Sequence, residues 1–276
     1  MTAYLRPRDL EEALVARAAY PEWMVLAGGT DLMVNANHRA APKGILDLWR
    51  LQAICFVRIA DASIAIGAGT TWHEVERHPA IRERILPLAL AAREIGALQI
   101  QARATLGGNV GTSSPVGDSL PVLLALDAEL EVASVRGRRR VAYRDWCTGY
   151  RTTQLASDEL IVAAHVPVPG ATTRTTWRKV GTRRAQSISK VMGAAAITVD
   201  GGVVTEARVA LGAVAERPIR IAAVESAVRG LPLADAGEAA RAALRSAIHP
   251  IDDVRSTASY RREVAENLVA RFFSMS

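Results

Sequence analysis

Two glycine-rich segments carry the residue types that could bind a nucleotide. The central one runs from Thr105 to Asp118 and sets four glycines among hydroxyl side chains and one carboxylate. Because glycine lacks Cβ and tolerates positive φ, neighbouring N–H groups can converge on an anion or lie flat beneath a ring system. A second segment, residues 26–32, repeats the pattern with a Gly-Gly pair followed by threonine and aspartate. An ordinary turn explains the central segment alone at least as well, but two such segments in one chain favour a nucleotide site.

The side chains of the central segment add directed polar contacts. Thr112, Ser113 and Ser114 offer hydroxyl donors, and Asp118 can accept hydrogen bonds from a ribose or from the backbone of its own loop. These residue types indicate binding rather than nucleophilic catalysis, because no base stands beside any of the hydroxyls in the sequence.

Other chemistry-bearing residues do not form a catalytic or metal motif. Cys55 and Cys147 are the only cysteines, too few for an iron–sulfur cluster or a structural zinc site. His73 and His78 flank Glu74 but are five residues apart, whereas a zinc-protease helix needs a spacing of four. The pattern therefore predicts a helix surface there, and any redox chemistry must come from a bound cofactor.

Composition and charge limit the classes of protein to which this chain can belong. The chain has 276 residues, half of them hydrophobic, with a net charge of +6, so it can bury a sizeable core divided among two or three subdomains. The densest basic run, Arg136 to Arg140, lies between two strand-like stretches and lacks interleaved aromatic residues. A hairpin tip explains this run better than nucleic-acid binding.

The sequence favours a cytoplasmic protein. No apolar run approaches the roughly 18 residues of a membrane span. The first residues include Arg6, Arg8 and Asp9 and lack the apolar stretch of a secretory signal, so we expect no signal peptide.

The opening of the chain predicts a βαβ-like unit. Asp9 followed by Glu12 has the spacing of a helix capping box, and the apolar run from Trp23 to Leu26 is typical of a buried strand. That strand delivers the first glycine segment at its carboxyl end, a position that commonly binds phosphate.

The rest of the chain predicts two further parts. Alternation indicates a hairpin from Phe56 to Gly67, a helical pattern covers Ala80 to Leu98, and prolines with Gly170 mark the clearest boundary. Beyond it, strands on both sides of the Asp200-Gly201-Gly202 turn precede three helical stretches, which indicates an α+β unit. We therefore expect parts at 1–55, 56–170 and 171–276.

Together these segments resemble a known family. The two glycine segments are followed, in order and at similar spacing, by Asp158–Ile161, Trp177–Val180, Arg183–Ser189, Asp253–Arg255 and Tyr260–Arg262. This order is similar to that of the FAD-binding medium subunits of the molybdenum hydroxylases, the family of xanthine dehydrogenase and carbon monoxide dehydrogenase. The resemblance covers nearly the whole chain, and the run from Arg183 to Ser189 looks closer to the xanthine dehydrogenase side.

The resemblance implies a fold and a set of cofactor contacts. The expected fold is α+β: a two-subdomain FAD-binding fold of the PCMH or vanillyl-alcohol-oxidase type, followed by a C-terminal α+β domain of antiparallel sheet plus helices. By the same resemblance, both glycine segments approach the FAD diphosphate, Asp118 holds the adenosine side, Ile161 packs near the flavin and Ile188 covers one of its faces. Without the resemblance, an exposed strand lysine would be the better interpretation of Lys179. The implied FAD-binding residues are Ala27, Gly28, Gly29, Thr30, Asp31, Leu32, Gly108, Asn109, Thr112, Asp118, Ile161, Lys179 and Ile188.

The implied function is electron transfer within a larger enzyme. FAD on this chain would receive electrons from [2Fe-2S] clusters on a small partner subunit and pass them to an external acceptor. A large partner subunit would hold molybdopterin and oxidise the substrate, and the resemblance implies a dimer of heterotrimers. Two alternatives stay open from the sequence: a stand-alone FAD-dependent oxidoreductase, and a nucleotide-binding module without redox activity.

Overall fold

The computed structural model describes residues 2–38, 40–183 and 186–274 and has the predicted α+β architecture. The strands are β1 (Ala3–Leu5), β2 (Met24–Leu26), β3 (Gly44–Asp47), β4 (Val57–Ile59), β5 (Ser63–Gly67), β6 (Glu129–Ser134), β7 (Gly137–Ala142), β8 (Cys147–Gly149), β9 (Thr152–Thr153), β10 (Leu160–Pro167), β11 (Thr173–Val180), β12 (Val191–Asp200), β13 (Val203–Gly212) and β14 (Ile219–Arg220). The α-helices are α1 (Leu10–Ala19), α2 (Trp72–Arg77), α3 (Pro79–Arg84), α4 (Leu86–Glu94), α5 (Leu98–Gln101), α6 (Leu106–Thr112), α7 (Leu120–Ala125), α8 (Tyr143–Trp146), α9 (Ala222–Val228), α10 (Leu233–Leu244) and α11 (Ala258–Ser274). Two 3₁₀ helices, Leu32–His38 and Gln52–Ile54, complete the set.

The first part is the βαβ-like unit that the sequence predicts. Its strands are parallel in the order β1-β3-β2, and α1 begins where the Asp9 carboxylate accepts a 2.8 Å hydrogen bond from the Glu12 amide. The Glu12 side chain does not close a capping box on Asp9, because it accepts from the amide and guanidinium of Arg8. The first glycine segment leaves the carboxyl end of β2.

An antiparallel sheet forms the second part, in the order β4-β5-β10-β6-β7. The arginine run begins with Arg136 in the turn of the β6–β7 hairpin, as expected, and Arg138 to Arg140 continue along the edge strand β7. Its charges are matched across the sheet surface: Arg138 pairs with Glu131 at 2.5 Å, Arg139 with Glu159 at 2.7 Å and Arg140 with Glu129 at 3.1 Å. A charged edge strand of this kind resists pairing with other chains.

In the third sheet, in the order β11-β12-β13-β14, strand β12 is buried on both faces from Val191 to Ile197. Along β12 the side chains alternate, as the strand period of two requires. Ala194 and Ala196 join the core shared with α4 and α7, whereas Ala195 and Ile197 join a second core under α9 to α11. The C-terminal helices therefore pack against the rest of the molecule through this sheet.

Two segments differ from the sequence expectation. The helical pattern from Ala80 to Leu98 is broken into α3, α4 and the start of α5: Pro87 lies in the first turn of α4, and Gly96 adopts a left-handed φ of +56° between α4 and α5. The central glycine segment, expected as a loop, contains α6. Within the described ranges, no helix has the length and apolar character needed to cross a membrane.

Candidate functional site

A cavity of about 1540 Å³ opens where the three parts of the fold meet. It exceeds the roughly 300–1,000 Å³ of most small-molecule sites, as a long ligand such as a dinucleotide requires. Eleven of the thirteen residues expected to bind FAD line it: Ala27, Gly28, Gly29, Thr30, Asp31, Leu32, Gly108, Asn109, Thr112, Ile161 and Ile188. The structure thus brings both glycine segments together, although Gly28 is 75 residues from Arg103, which lies just before the central segment.

The first glycine segment presents open backbone amides to this cavity. Gly29 has a φ of +77°, a left-handed conformation that favours glycine. Within the described part of the chain, the amides of Gly28, Gly29, Thr30 and Asp31 donate no hydrogen bond to protein atoms. Consecutive free amides in a left-handed turn form an anion-binding concavity, the geometry that a diphosphate needs.

Contacts on its outer side hold the first glycine segment in place. A Cβ on Gly28 would lie 1.8 Å from the Arg103 carbonyl oxygen, so no other residue fits there. The Arg103 guanidinium stacks on the Trp49 ring at 3.9 Å and donates to the Gly28 carbonyl at 3.4 Å. On the other side, Arg151 in the β8–β9 turn forms an ion pair with Asp31 at 3.3 Å.

The central segment contributes a helix whose first amides are already paired. The Thr105 hydroxyl caps α6 by accepting from the Gly108 amide at 3.1 Å, and the Asn109 amide donates to the Thr105 carbonyl. The amides of Leu106 and Gly107 donate to the carbonyls of Thr70 and Ala68. A Cβ on Gly107 would lie 2.6 Å from that of Ala68. The glycines of this segment therefore bring the helix close to its neighbours, and they do not form a second amide cradle.

Contacts with neighbouring residues hold the cavity-lining side chains of α6 and β10 in place. The Asn109 side-chain oxygen accepts a hydrogen bond from the Ser119 hydroxyl at 2.7 Å, which fixes its orientation. Ile161 on β10 is 9% exposed and approaches Gly111, where a Cβ would lie 3.5 Å from the Ile161 methyl group. Ile161 and Gly111 thus form an apolar surface on this side of the cavity, with the polar Asn109 side chain beside it.

Asp118 and Lys179 do not line the cavity. The Lys179 ammonium donates to the Asp118 carboxylate at 2.6 Å and to the Glu94 carbonyl at 3.2 Å, and its side chain is only 3% exposed. The other Asp118 carboxylate oxygen accepts from the buried Ser189 hydroxyl at 2.5 Å. The alternative interpretation of Lys179 as an exposed strand lysine is therefore wrong.

Burial and direct contacts shift the pKa of Asp118 in opposite directions. Burial raises the pKa of the Asp118 carboxyl, while the Lys179 ammonium and the Ser189 hydroxyl act to lower it. The pair joins the end of the central segment to β11, and Trp177 adds a hydrogen bond to the Asp118 carbonyl at 2.9 Å. Direct contacts of Asp118 and Lys179 with FAD stay predictions.

The C-terminal part closes the cavity with charged residues that sequence reasoning did not place in the site. Arg261 is 2% exposed, donates to the carbonyls of Lys190 and Ala213, and pairs with Asp253 at 2.7 Å. Burial acts to raise the pKa of Asp253, but hydrogen bonds from the Arg255 amide and the Arg261 guanidinium outweigh it and lower the pKa to about 2. Asp253 and Arg261 belong to the segments that resemble the family, and this resemblance was the signal that could have placed them in the site.

Other lining residues carried no signal in the sequence. Tyr150 and Arg151 come from the β8–β9 turn, and Arg217 and His249 come from loops of the C-terminal part. Their places depend on long-range packing, which local patterns do not encode.

The cavity fits FAD. The open amides from Gly28 to Asp31 suit the diphosphate, and the apolar wall around Ile161 suits a broad ring system. The volume accommodates both halves of a dinucleotide at once.

Comparisons with known proteins agree with this fit. Residues 1–169 match the family described as the FAD binding domain in molybdopterin dehydrogenase, and residues 177–276 match the CO dehydrogenase flavoprotein C-terminal domain. The chain is 30% identical to the nicotinate dehydrogenase FAD-subunit of Eubacterium barkeri, over 98% of this chain and 94% of the relative. It is also 30% identical to a putative xanthine dehydrogenase FAD-binding subunit of Escherichia coli, over 99% and 94% of the two chains.

A solved structure shows the same fold. A carbon monoxide dehydrogenase from Hydrogenophaga pseudoflava superposes with a TM-score of 0.93 at 27% identity, covering 98% of this chain and 95% of the other. The resemblance seen in the sequence is thereby confirmed: the chain belongs to the FAD-binding medium subunits of the molybdenum hydroxylase family.

Proposed function

We propose that this chain binds FAD noncovalently in the cavity and transfers electrons from partner iron–sulfur clusters to an external acceptor. The observation that carries the proposal is the cradle of open amides from Gly28 to Asp31 at the edge of a dinucleotide-sized cavity. When bound, FAD supplies the redox chemistry, which the side chains around the cavity do not.

The chain's own residues bind and shield the cofactor. The amides from Gly28 to Asp31 hold the diphosphate, and Thr112 adds a hydroxyl from α6. Ile161 and Ile188 contact the ring and exclude water from it. Gly108 and Asn109 contribute a close surface and an oriented side chain, because their amides are already donated within the protein.

The partners that we propose are a small subunit with [2Fe-2S] clusters and a large molybdopterin subunit. The relatives named above are subunits of dehydrogenases that differ in substrate, nicotinate in one case and xanthine in another, at the same 30% identity. Substrate choice therefore does not follow from this chain, which suits a pocket on another polypeptide.

We propose that the protein is cytoplasmic and that the chain divides into residues 1–55, 56–170 and 171–276. The division is supported by the way the strands are distributed. Strands β1 to β3 fall within the first range, β4 to β10 within the second and β11 to β14 within the third.

The test compares two glycines that share a backbone conformation. Gly29 has φ +77° beside the cavity, and Gly202 has φ +82° in the β12–β13 turn, where an added Cβ would meet nothing within 4 Å. Alanine at either position adds backbone strain of about 1 kcal/mol, and at Gly29 the new Cβ would also lie 3.3 Å from a Leu26 methyl group. We expect Gly29→Ala to weaken FAD binding at least about tenfold and Gly202→Ala to leave it unchanged, measured by titrating the apoprotein with FAD.

The outcome also separates the alternatives. Acid precipitation of the wild-type protein should release all flavin as FAD. A protein that stays colourless after reconstitution would support the non-redox module. Equal FAD affinity in the two glycine variants would place the diphosphate elsewhere.

A further inference from the structure

Ser189 stands out because its hydroxyl is buried, charge-assisted and next to a cavity residue. Its side chain is 0% exposed, and it donates to an Asp118 carboxylate oxygen at 2.5 Å. The preceding residue, Ile188, is 49% exposed and lines the cavity. A buried anchor and an exposed apolar side chain thus occupy consecutive positions.

Asp118 is itself fixed from several directions. Lys179 holds its second carboxylate oxygen at 2.6 Å, and the Trp177 indole donates to its carbonyl at 2.9 Å. The segment before Asp118 is tied to the same part of the fold, because the Ala213 amide donates to the Pro115 carbonyl at 2.9 Å. Asp118 is therefore a rigid acceptor to which Ser189 attaches the segment that carries Ile188.

Other contacts hold the residues on either side of Ile188, among them the buried Arg261 guanidinium, which donates to the Lys190 carbonyl at 2.7 Å. Among the described residues, the Ser187 hydroxyl donates to the Arg183 carbonyl, within the same segment, at 3.1 Å. The Gln186 amide donates to the Gly96 carbonyl at 3.2 Å, and the Lys190 amide donates to the Val180 carbonyl at 2.9 Å. Of these contacts, the Ser189–Asp118 bond joins a residue adjacent to Ile188 to a buried carboxylate in another part of the chain.

We propose that Ser189 is a positioning residue that holds Ile188 against the bound flavin, and so sets how much of the ring external molecules can reach. The inference rests on the proposed function, because it needs FAD in the cavity. Ser189 acts through Ile188 and touches no reacting atom.

The size of the effect follows from the type of bond. Loss of a hydrogen bond to a charged group should shift the equilibrium between docked and released Ile188 about ten- to a hundredfold toward release. Ser189→Ala removes a single oxygen atom, so it tests the bond without adding bulk.

The experiment is a double-mutant cycle on the full chain reconstituted with FAD, with iodide quenching of flavin fluorescence as the readout. We expect quenching to rise in Ser189→Ala toward the value for Ile188→Ala, and the double variant to match Ile188→Ala alone. Ser187→Ala is the matched control, since it deletes a hydroxyl from the same segment without touching Asp118, and it should quench like the wild type. Visible circular dichroism of the flavin should follow the same order.

Each result decides a different question. Equal quenching in the wild type and Ser189→Ala, or additive effects in the double variant, would overturn the role of Ser189 while leaving FAD binding intact. A wild-type protein that binds no FAD would overturn the proposed function as well. Far-ultraviolet circular dichroism checks folding, and Ser189→Cys, a weak donor of similar volume, replaces the alanine variant in the cycle if that variant does not fold.

Discussion

At the scale of single residues, the walls of the cavity depend on two charge pairs, one behind the wall and one among the lining residues. Asp118 with Lys179, and Asp253 with Arg261, each join two parts of the chain that are distant in sequence or belong to different elements. Such pairs add little net stability compared with apolar residues, but removing one member leaves an uncompensated charge in a medium of low dielectric.

Lys179 should therefore matter for folding as well as for any cofactor role. We expect Lys179→Met to lower the free energy of unfolding by about 3–5 kcal/mol, because Asp118 would keep a buried charge without its main partner. The double variant Lys179→Met/Asp118→Asn should recover most of that loss. Urea unfolding of the FAD-free protein measures both.

Arg178→Met serves as the control, because Arg178 is the exposed neighbour on the same strand. It should change stability by no more than about 0.5 kcal/mol. A Lys179→Met variant as stable as this control would show that the Asp118 charge finds another partner or is neutralised.

The contribution of Asp253 to the free energy of unfolding depends on pH. Its pKa in the folded state is lowered from the ordinary 3.8 to about 2, so its contribution is present above the unfolded pKa and is lost as the pH falls through the folded pKa. The stability difference between wild type and Asp253→Asn should thus be constant near neutral pH and shrink between about pH 4 and pH 2. Urea unfolding at several pH values measures it.

Asp200→Asn, in the exposed end of β12, controls for the general loss of one carboxylate. The prediction fails if the Asp253→Asn difference stays the same down to pH 2. It also fails if the Asp200→Asn difference shrinks equally.

The position of a residue could be predicted from the sequence where local backbone conformation determines it. Hydrogen-bond partners that are distant in sequence could not be predicted. Gly29 could be placed from its sequence context, because a Gly-Gly pair after a strand needs few other conditions to turn toward a ligand. The partners of Asp118 could not, since Lys179 and Ser189 lie 61 and 71 residues away. A carboxylate that could accept from a ribose can equally accept from a lysine.

At the scale of elements, α6 shows how tertiary contacts override local propensity. Three of its seven residues are glycines, each of which costs up to about 1 kcal/mol relative to alanine in a helix. The helix forms because Thr105 caps it and because Leu106 and Val110 are fully buried. Glycine composition indicated a loop, while the cap and the apolar positions at i and i+4 were the signal for a helix.

The cap of α6 should therefore affect both stability and cofactor binding. We expect Thr105→Ala to cost about 0.5–2 kcal/mol and to weaken FAD binding, because the Gly108 amide loses its acceptor at the cavity wall. Thr71, the cap of α2, is the matched control: its hydroxyl accepts from the Glu74 amide at 3.2 Å, and it does not line the cavity.

Thermal unfolding and FAD titration of the two variants give the comparison. Thr71→Ala should lose similar stability and keep its FAD affinity. Equal FAD affinity in both would mean that α6 keeps its position without the cap.

At the scale of the whole molecule, the sheet that contains β12 decides where the cavity lies. Alternating small residues on β12 let α4 and α7 pack on one face and the C-terminal helices on the other. The resulting contact brings Ala213 and Arg261 to the glycine segments of the other two parts. The α+β class and the strand-then-helix order could be predicted from periodicity, whereas this docking could not, because it depends on the shapes of two separately formed surfaces.

The last prediction concerns the assembly in which this molecule works. The chain carries only Cys55 and Cys147, and two cysteines cannot ligate a [2Fe-2S] cluster, so we expect the cluster that reduces its flavin to lie on another polypeptide. We expect a tagged chain purified from its native host to bring a small cluster-bearing chain and a large molybdenum chain, in a dimer of heterotrimers. Size-exclusion chromatography with light scattering, mass spectrometry, metal analysis and the visible spectrum should agree on that composition. A homo-oligomer of this chain alone that oxidises a substrate would contradict the prediction and favour the stand-alone FAD-dependent oxidoreductase.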